Sequence, residues 1–311
     1  MTKQELFYDS RDNHSKIHAV RWIPDGKPVL ILQIVHGMCE YIERYAPFAE
    51  FLAEKGILVC GEDHLGHGKS VGEKPVYGYF CRKDPATVVV RDVHRLKKMT
   101  QQEYPGVPYV IMGHSMGSFI ARNYMYRYGS GVDAMIIMGT GMVPLGTAKL
   151  LKTMANLLSI FQGDKHKSAF LNKLSSADYL KKIPNSTSPF DWLSRNPENV
   201  KKYEEDPLCG FLFTLNGYKG LAEFIIRFQD QNNLKQIPKD LPVLFVSGAE
   251  DPVGEWSAGV ERSVKSLRDV GMTNVECKFY PEDRHEILNE VDRQQVFDDL
   301  YQWLLPYAKT E

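Results

Sequence analysis

The serine at position 115 lies in the pentapeptide Gly113-His114-Ser115-Met116-Gly117. This G-x-S-x-G pattern follows an apolar segment at 108–112 and precedes a helix predicted at 119–128. Glycines two positions before and after the serine allow a sharp turn that exposes its hydroxyl at the start of a helix, where the Met116 amide can stabilise an oxyanion. The context predicts a catalytic nucleophile, although the pentapeptide alone also fits a turn serine without chemistry.

A nucleophilic serine needs a general base and a buried acid that orients this base. Two later strands, predicted at 243–247 and 275–280, are each followed by a loop that carries such a group, Asp251 and His285. Because parallel strands end at the same edge of a sheet, both loops are expected near the serine turn. Glu250 is the alternative acid, but the shorter aspartate before a proline suits a fixed turn better. We therefore predict the triad Ser115, Asp251 and His285.

The other histidines are weaker candidates for the general base. Four lie in a predicted surface turn, strand, helix or charged loop and are assigned no role: His14, His18, His94 and His166. His114 is too close in sequence to Ser115 to reach back as its base. Asp63, His64 and His67 share one loop, but three such residues without a further partner are a weak metal pattern. No metal and no cofactor are predicted.

The second oxyanion donor is predicted in a loop after an earlier strand. His36-Gly37-Met38 follows the apolar strand predicted at 29–35, and its glycine permits a close backbone approach. The Met38 amide would then face the Met116 amide across the carbonyl oxygen of a substrate. At this position the backbone amides are expected to matter more than the His36 imidazole.

The predicted strands and helices that must position these residues alternate regularly along the sequence. Short β-branched or aliphatic runs alternate with longer amphipathic stretches, which predicts a mostly parallel sheet with helices on both faces. Strands are predicted near 6–9 and at 16–23, 29–35, 57–60, 107–112, 134–138, 243–247 and 275–280. Helices are predicted at 44–54, 87–103, 119–128, 257–270 and 291–305.

From 141 to 233 the alternation stops, and Lys-rich helical segments follow. We predict an inserted, mainly helical cap over these residues and a core domain formed by residues 1–140 and 234–311. One predicted cap helix has apolar residues at helical spacing: Leu150, Leu151, Met154, Leu157, Leu158 and Phe161. This face could line an acyl tunnel, contact a membrane or micelle, or pack on the sheet, and the sequence leaves these alternatives open.

The composition narrows the class of protein. The 311 residues are 43% hydrophobic and carry 38 basic against 39 acidic side chains, so no net field favours nucleic acid. The N-terminus resembles no secretory signal, no run of about 18 apolar residues occurs, and the five cysteines are scattered. These features predict a cytoplasmic protein with reduced thiols, and they carry no information on its oligomeric state.

Five runs together resemble the monoacylglycerol lipase and lysophospholipase family of α/β-hydrolases: HGMCEYIERY (36–45), GEDHLGHGKS (61–70), GHSMG (113–117), AEDPV (249–253) and HE (285–286). The resemblance covers nearly the whole chain outside the cap. It implies an α/β-hydrolase fold with an eight-stranded sheet and places the oxyanion amide at Met38. It also implies that Glu40 and Arg44 hold the polar end of the substrate. This chain has Cys39 where the family usually has a second glycine.

The residues and the resemblance together predict acyl transfer to Ser115, with a small-molecule acyl ester or lipid as substrate. We expect a serine hydrolase of single-chain acyl esters, similar to a monoacylglycerol lipase or a lysophospholipase. A broad carboxylesterase, or an amidase or peptidase with the same triad, stays an alternative because specificity resides in the cap pocket. A binding protein without turnover is disfavoured, since it would need neither a triad nor oxyanion loops.

Overall fold

Eight strands form a single, mostly parallel sheet in the computed structural model, which describes residues 1–309. The strands are β1 (Thr2–Asp9), β2 (Lys16–Ile23), β3 (Leu30–Val35), β4 (Ile57–Glu62), β5 (Tyr109–His114), β6 (Ala134–Met138), β7 (Val243–Gly248) and β8 (Val275–Tyr280). Their order is β1-β2-β4-β3-β5-β6-β7-β8, and only β2 pairs antiparallel with its neighbours β1 and β4. The predicted α/β-hydrolase fold class is confirmed.

Helices cover both faces of this sheet. They are α1 (Ala46–Glu54), α2 (Pro85–Glu103), α3 (Met116–Tyr128), α4 (Leu145–Gln162), α5 (Ala169–Ser175), α6 (Pro197–Glu205), α7 (Leu215–Phe228), α8 (Gln231–Lys235), α9 (Ala258–Arg268) and α10 (Arg293–Leu304). Apolar side chains of α1 and α10 pack in the core on one face, and those of α2, α3 and α9 pack on the other. Along β3, Ile31 and Leu32 enter opposite cores, as the period of a strand requires.

The segment between β6 and β7 contains five helices, α4 to α8. Helix α4 packs on α7, which in turn contacts α2 and α3 beside the sheet. The predicted cap limits, 141 and 233, stay a prediction, and residues 310 and 311 of the predicted core lie outside the described residues. None of the helices in residues 1–309 combines the length and the apolar character needed to cross a membrane.

Several predicted boundaries were wrong by a few residues. Strand β1 begins at Thr2 and not near Leu6, because all eight of its residues pair with β2 although its first half is polar and exposed. Strand β5 runs on to His114, and helix α3 begins at Met116 and not at Phe119. The glycines around Ser115 suggest a longer turn, whereas the structure needs a single residue to reverse the chain.

Candidate active site

Ser115 occupies a strained, one-residue turn between β5 and α3. Its backbone has φ 55° and ψ −122°, a combination that is uncommon for a residue with a side chain and typical of a nucleophile elbow. A Cβ on Gly113 would lie 2.3 Å from the Gly117 carbonyl oxygen, and one on Gly117 would lie 1.9 Å from the Val35 carbonyl oxygen. Both flanking glycines are therefore sterically required for this turn.

Hydrogen bonds fix the turn against the sheet. The Ser115 amide donates to the Met138 carbonyl oxygen at 3.0 Å, at the end of β6. The hydroxyl of Ser118 donates to the Ser115 carbonyl oxygen at 2.5 Å and lies 2.8 Å from Thr140 Oγ1, whose hydroxyl can donate to it. The strain at Ser115 is thus held by contacts on both sides of the turn.

Asp251 and His285 meet in the loops after β7 and β8. His285 Nδ1 lies 2.9 Å from Asp251 Oδ2, and since a carboxylate only accepts, Nδ1 carries the proton. Asp251 is completely buried and also accepts from the Val253 amide at 2.8 Å, so its carboxylate is fixed. Glu250 is exposed, and within residues 1–309 no hydrogen bond or ion pair joins its side chain to His285. The pairing leaves His285 Nε2 free to accept a proton.

Ser115 and His285 both line one cavity of about 420 Å³, a size typical of small-molecule sites. Among residues 1–309 no hydrogen bond joins the two side chains; catalytic contacts often tighten only in the substrate complex. Much of the remaining wall is apolar or aromatic and includes Phe119, Tyr179, Trp192, Phe211, Leu212 and Leu221. Two larger surface clefts, of about 680 and 590 Å³, contain neither residue.

The amides predicted for the oxyanion hole border the same cavity. Met38 and Met116 both line it together with Ser115. In the described part of the chain, neither amide donates a hydrogen bond to a protein acceptor. A Cβ on Gly37 would lie 3.0 Å from Ser115 Cβ, so the loop before Met38 approaches the serine closely. Both residues thus lie at the cavity beside Ser115, and the role of their amides as the oxyanion hole stays a prediction.

Glu40 and Arg44 belong to a buried group of ionisable side chains at one side of the cavity. We call this group the ion cluster; its members are Glu40, Arg44, His114 and Glu286. Arg44 donates to both oxygens of Glu286 at 2.6 and 2.8 Å and to Glu40 at 2.8 Å. Glu40 lines the cavity, whereas Arg44 borders the separate 590 Å³ cleft. The proposed contact of Arg44 with a substrate stays a prediction, and its observed partners favour a structural role.

His114 is the second basic side chain of the ion cluster. Its Nδ1 lies 3.3 Å from Glu40 Oε1 and 2.8 Å from the Tyr45 hydroxyl, and its Nε2 lies 3.2 Å from the His285 carbonyl oxygen. Burial alone would lower the pKa of His114, but the hydrogen bond and the charge of Glu40 raise it above its usual value. The ion cluster thus consists of two acidic and two basic side chains, and it connects three of the loops around Ser115.

Two groups that contact His285 or its neighbour Glu286 could not be predicted from the sequence. The Trp192 ring lies with its centroid 5.0 Å from that of His285, and the Leu193 carbonyl oxygen accepts from the Glu286 amide at 2.7 Å. Both come from the segment between β6 and β7, where no motif marks them. For Glu286 a signal existed, because it directly follows His285 in the HE run.

Comparisons with known proteins identify the family of this chain. A family model described as serine aminopeptidase, S33, matches residues 26–292. A monoacylglycerol lipase of Mycolicibacterium smegmatis is 28% identical over 292 residues, which cover 92% of this chain and 91% of the relative. A monoglyceride lipase of Rattus norvegicus is 31% identical over 87% of this chain and 84% of its own.

A solved structure extends the likeness to the whole fold. The structure of a thermostable carboxyl esterase from Bacillus coagulans, in complex with glycerol, matches with a TM-score of 0.91. It is 30% identical to this chain and covers 99% of each. By sequence and by fold, the chain therefore belongs to the monoacylglycerol lipase family of α/β-hydrolases and is a carboxylic ester hydrolase.

Proposed function

We propose that the chain hydrolyses esters of single-chain acyl lipids, such as monoacylglycerols, through an acyl-enzyme at Ser115. The observation that carries this proposal is the strained serine turn and the Asp251–His285 pair beside a largely apolar cavity. An apolar wall suits an alkyl chain, and two free amides suit the carbonyl oxygen. Relatives named as monoacylglycerol and monoglyceride lipases support the same substrate class.

In the proposed mechanism Ser115 Oγ attacks the ester carbonyl while His285 Nε2 takes its proton. The negative charge that develops on the carbonyl oxygen is stabilised by the Met38 and Met116 amides. His285 then protonates the leaving alcohol, and it next activates a water that releases the fatty acid and regenerates Ser115. Asp251 holds the imidazole in the required tautomer throughout.

The assignment of Ser115 is tested by Ser115→Ala. We expect the variant to lose labelling by a fluorophosphonate probe and to lose at least about 10³-fold in kcat on a nitrophenyl ester. Its thermal unfolding should match that of the wild type, because the change removes only the hydroxyl. Labelling that persists in the variant would identify another nucleophile and refute the proposal.

The substrate class is tested by one panel of 1- and 2-monoacylglycerols, lysophospholipids, aryl esters and aminoacyl amides. We expect the highest kcat/KM on long-chain monoacylglycerols or lysophospholipids, because a long alkyl chain uses more of the apolar wall. The Bacillus coagulans esterase favours a broad carboxylesterase as second candidate. Cleavage confined to short or aromatic esters would support that candidate and reject the lipase proposal.

The proposed cap, residues 141–233, also carries an exposed apolar face on α4 and α5. Its most exposed members are Leu150, Leu157, Ile160, Phe161, Phe170 and Leu174, and Phe161 is 86% exposed. We propose that this face contacts the lipid aggregate that holds the substrate, because large exposed apolar patches mark such surfaces. The test is a double variant, Ile160→Ser with Phe161→Ser. It should lose activity on substrate held in lipid vesicles but keep its activity on a soluble short ester.

A further inference from the structure

His36 and His64 form a reciprocal hydrogen-bonded pair directly behind the oxyanion loop. The His64 amide donates to His36 Nε2 at 3.0 Å, and His64 Nε2 donates to the His36 carbonyl oxygen at 3.1 Å. The two rings pack with their centroids 4.0 Å apart. Both side chains are buried and neither lines the cavity. The pair therefore acts on the site only through the backbone.

These contacts fix the tautomer of His36. Because Nε2 accepts the His64 amide hydrogen, the ring proton lies on Nδ1. Nδ1 is 2.8 Å from the Gly37 carbonyl oxygen and donates to it. Burial, reinforced by the neighbouring His67, lowers the pKa of His36 to about 3, which keeps this arrangement at neutral pH. His36 thus holds one specific carbonyl group.

The carbonyl that His36 holds belongs to the same peptide group as the Met38 amide. The peptide bond is trans, so its C=O and N–H point in opposite directions. With the Gly37 carbonyl directed into the buried histidine pair, the Met38 N–H is directed to the other side, where Met38 lines the cavity. The Gly37 amide is held separately by Glu40 Oε1 at 2.6 Å.

We propose that His36, locked by His64, is a positioning residue that aims the Met38 amide at the oxyanion. The proposal rests on the proposed function, since it assumes that Ser115 forms a tetrahedral intermediate. His36 does not contact the substrate and acts only by orienting the Gly37–Met38 peptide group. Its loss should therefore weaken the stabilisation of the transition state more than the binding of the substrate.

His67 provides a matched control within the same group of rings. It is buried like His36, and its centroid lies 5.3 Å from that of His36. Its Nδ1 contacts only the Leu65 carbonyl oxygen, and its Nε2 has no partner among the described residues. Removal of the His67 imidazole thus disturbs the packing without releasing the Gly37–Met38 peptide.

The experiment compares His36→Leu, His36→Asn and His67→Leu in the full chain. Leu removes both hydrogen bonds of His36, whereas Asn keeps a donor near the position of Nδ1. The readouts are kcat and KM on a nitrophenyl ester and the affinity for an alkyl trifluoromethyl ketone, which forms an oxyanion on Ser115. Affinity for a matched alkyl ether, which forms no oxyanion, and the thermal unfolding midpoint complete the set.

We expect His36→Leu to lose about 100-fold in kcat and a similar factor in ketone affinity, as when one oxyanion donor is misplaced. KM and ether affinity should change by less than about threefold, and His36→Asn should recover part of the loss. His67→Leu should keep kcat and the ratio of ketone to ether affinity.

Two results would overturn the proposal. The first is an unchanged ratio of ketone to ether affinity in both His36 variants while Ser115 still forms the ketone adduct. The second is a loss in His67→Leu equal to that in His36→Leu, which would indicate a packing effect alone. If His36→Leu does not fold, the ratio in His36→Asn decides. Failure of the proposed function would give a different result from failure of the His36 proposal, because Ser115→Ala would then still hydrolyse esters.

Discussion

Two buried groups of titratable side chains flank the oxyanion loop, and the pKa values of their imidazoles are shifted in opposite directions. The histidine stack consists of His36, His64 and His67, and the ion cluster consists of Glu40, Arg44, His114 and Glu286. In the stack, burial lowers the pKa of each imidazole, to about 3 for His36 and about 4 for His67. In the ion cluster, the buried imidazole of His114 instead has a raised pKa.

The contrast shows that the partners, and not burial alone, decide the charge of a buried imidazole. The stack offers mainly backbone partners and other rings, which favour the neutral form. His114 faces Glu40, whose hydrogen bond and negative charge raise the pKa of the imidazole despite its burial. The histidine stack fixes the orientation of the Gly37–Met38 peptide group, and the ion cluster connects loops through its ion pairs.

The largest expected effect comes from unbalancing the ion cluster with Arg44→Met. This change leaves the carboxylates of Glu40 and Glu286 buried without their shared cation, which costs roughly 3–5 kcal/mol of unfolding free energy. Urea unfolding at pH 7 measures the loss. The control is Arg262→Met, which breaks an exposed pair with Glu255 and should cost less than about 1 kcal/mol.

An equal, small loss in Arg44→Met and Arg262→Met would show that the ion cluster is not held by charge. A large loss in stability together with unchanged kcat/KM under native conditions would separate its structural role from the substrate contact predicted for Arg44. A raised KM for monoacylglycerol in a stably folded Arg44→Met would instead support that contact.

The histidine stack predicts a pH effect of intermediate size. The folded pKa of His67, about 4, is depressed below the unfolded value near 6.5. Its contribution to stability is therefore complete above about pH 6.5 and is lost as the pH falls through about 4. Between these limits, His67→Leu should reduce the pH slope of the unfolding free energy by up to about 1.4 kcal/mol per pH unit.

Urea unfolding at several values between pH 7 and pH 4 measures this slope. The control is His166→Leu, because His166 is exposed and lies outside the stack. The same slope in wild type and His67→Leu would mean that His67 is not held neutral in the folded state, and the contrast between the two groups would then fail for this residue.

Much of the site could be predicted because its signals are local. Ser115 lies in a motif, and Asp251 and His285 follow predicted strands whose ends a parallel sheet brings together. The contacts of His36 with His64, and of Arg44 with Glu286, join residues far apart in sequence, and no spacing rule connects them. The role of a side chain that acts through a distant backbone group becomes visible only in the fold.

The exact element boundaries were less predictable for a related reason. Strand β1 is polar over its first half and forms because β2 supplies backbone hydrogen-bond partners. A pattern of hydrophobic residues does not reveal such partners. The segment between β6 and β7 showed helical spacing but no indication of which side chains would reach His285. Trp192 does so because the loop that carries it is packed on the histidine loop.

Cys39 lies between the histidine stack and the ion cluster and gives the smallest expected effect. Its φ of 56° is left-handed, which explains why the family usually has glycine there. Its Sγ donates to the Phe211 carbonyl oxygen at 3.1 Å, a contact that both Cys39→Gly and Cys39→Ala remove. Only glycine relieves the backbone strain, so Cys39→Gly should be more stable than Cys39→Ala by roughly 0.5–1 kcal/mol.

Urea unfolding of the two Cys39 variants side by side isolates the backbone term, because the lost thiol contact cancels in the comparison. A more stable Cys39→Ala would mean that the left-handed turn is not a source of strain. The ratio of ketone to ether affinity should be the same in both variants, since His36 and Glu40 hold the Gly37 peptide groups independently of position 39. A change in that ratio in Cys39→Gly alone would show that the cysteine backbone, and not the His36 hydrogen bond, fixes the direction of the Met38 amide.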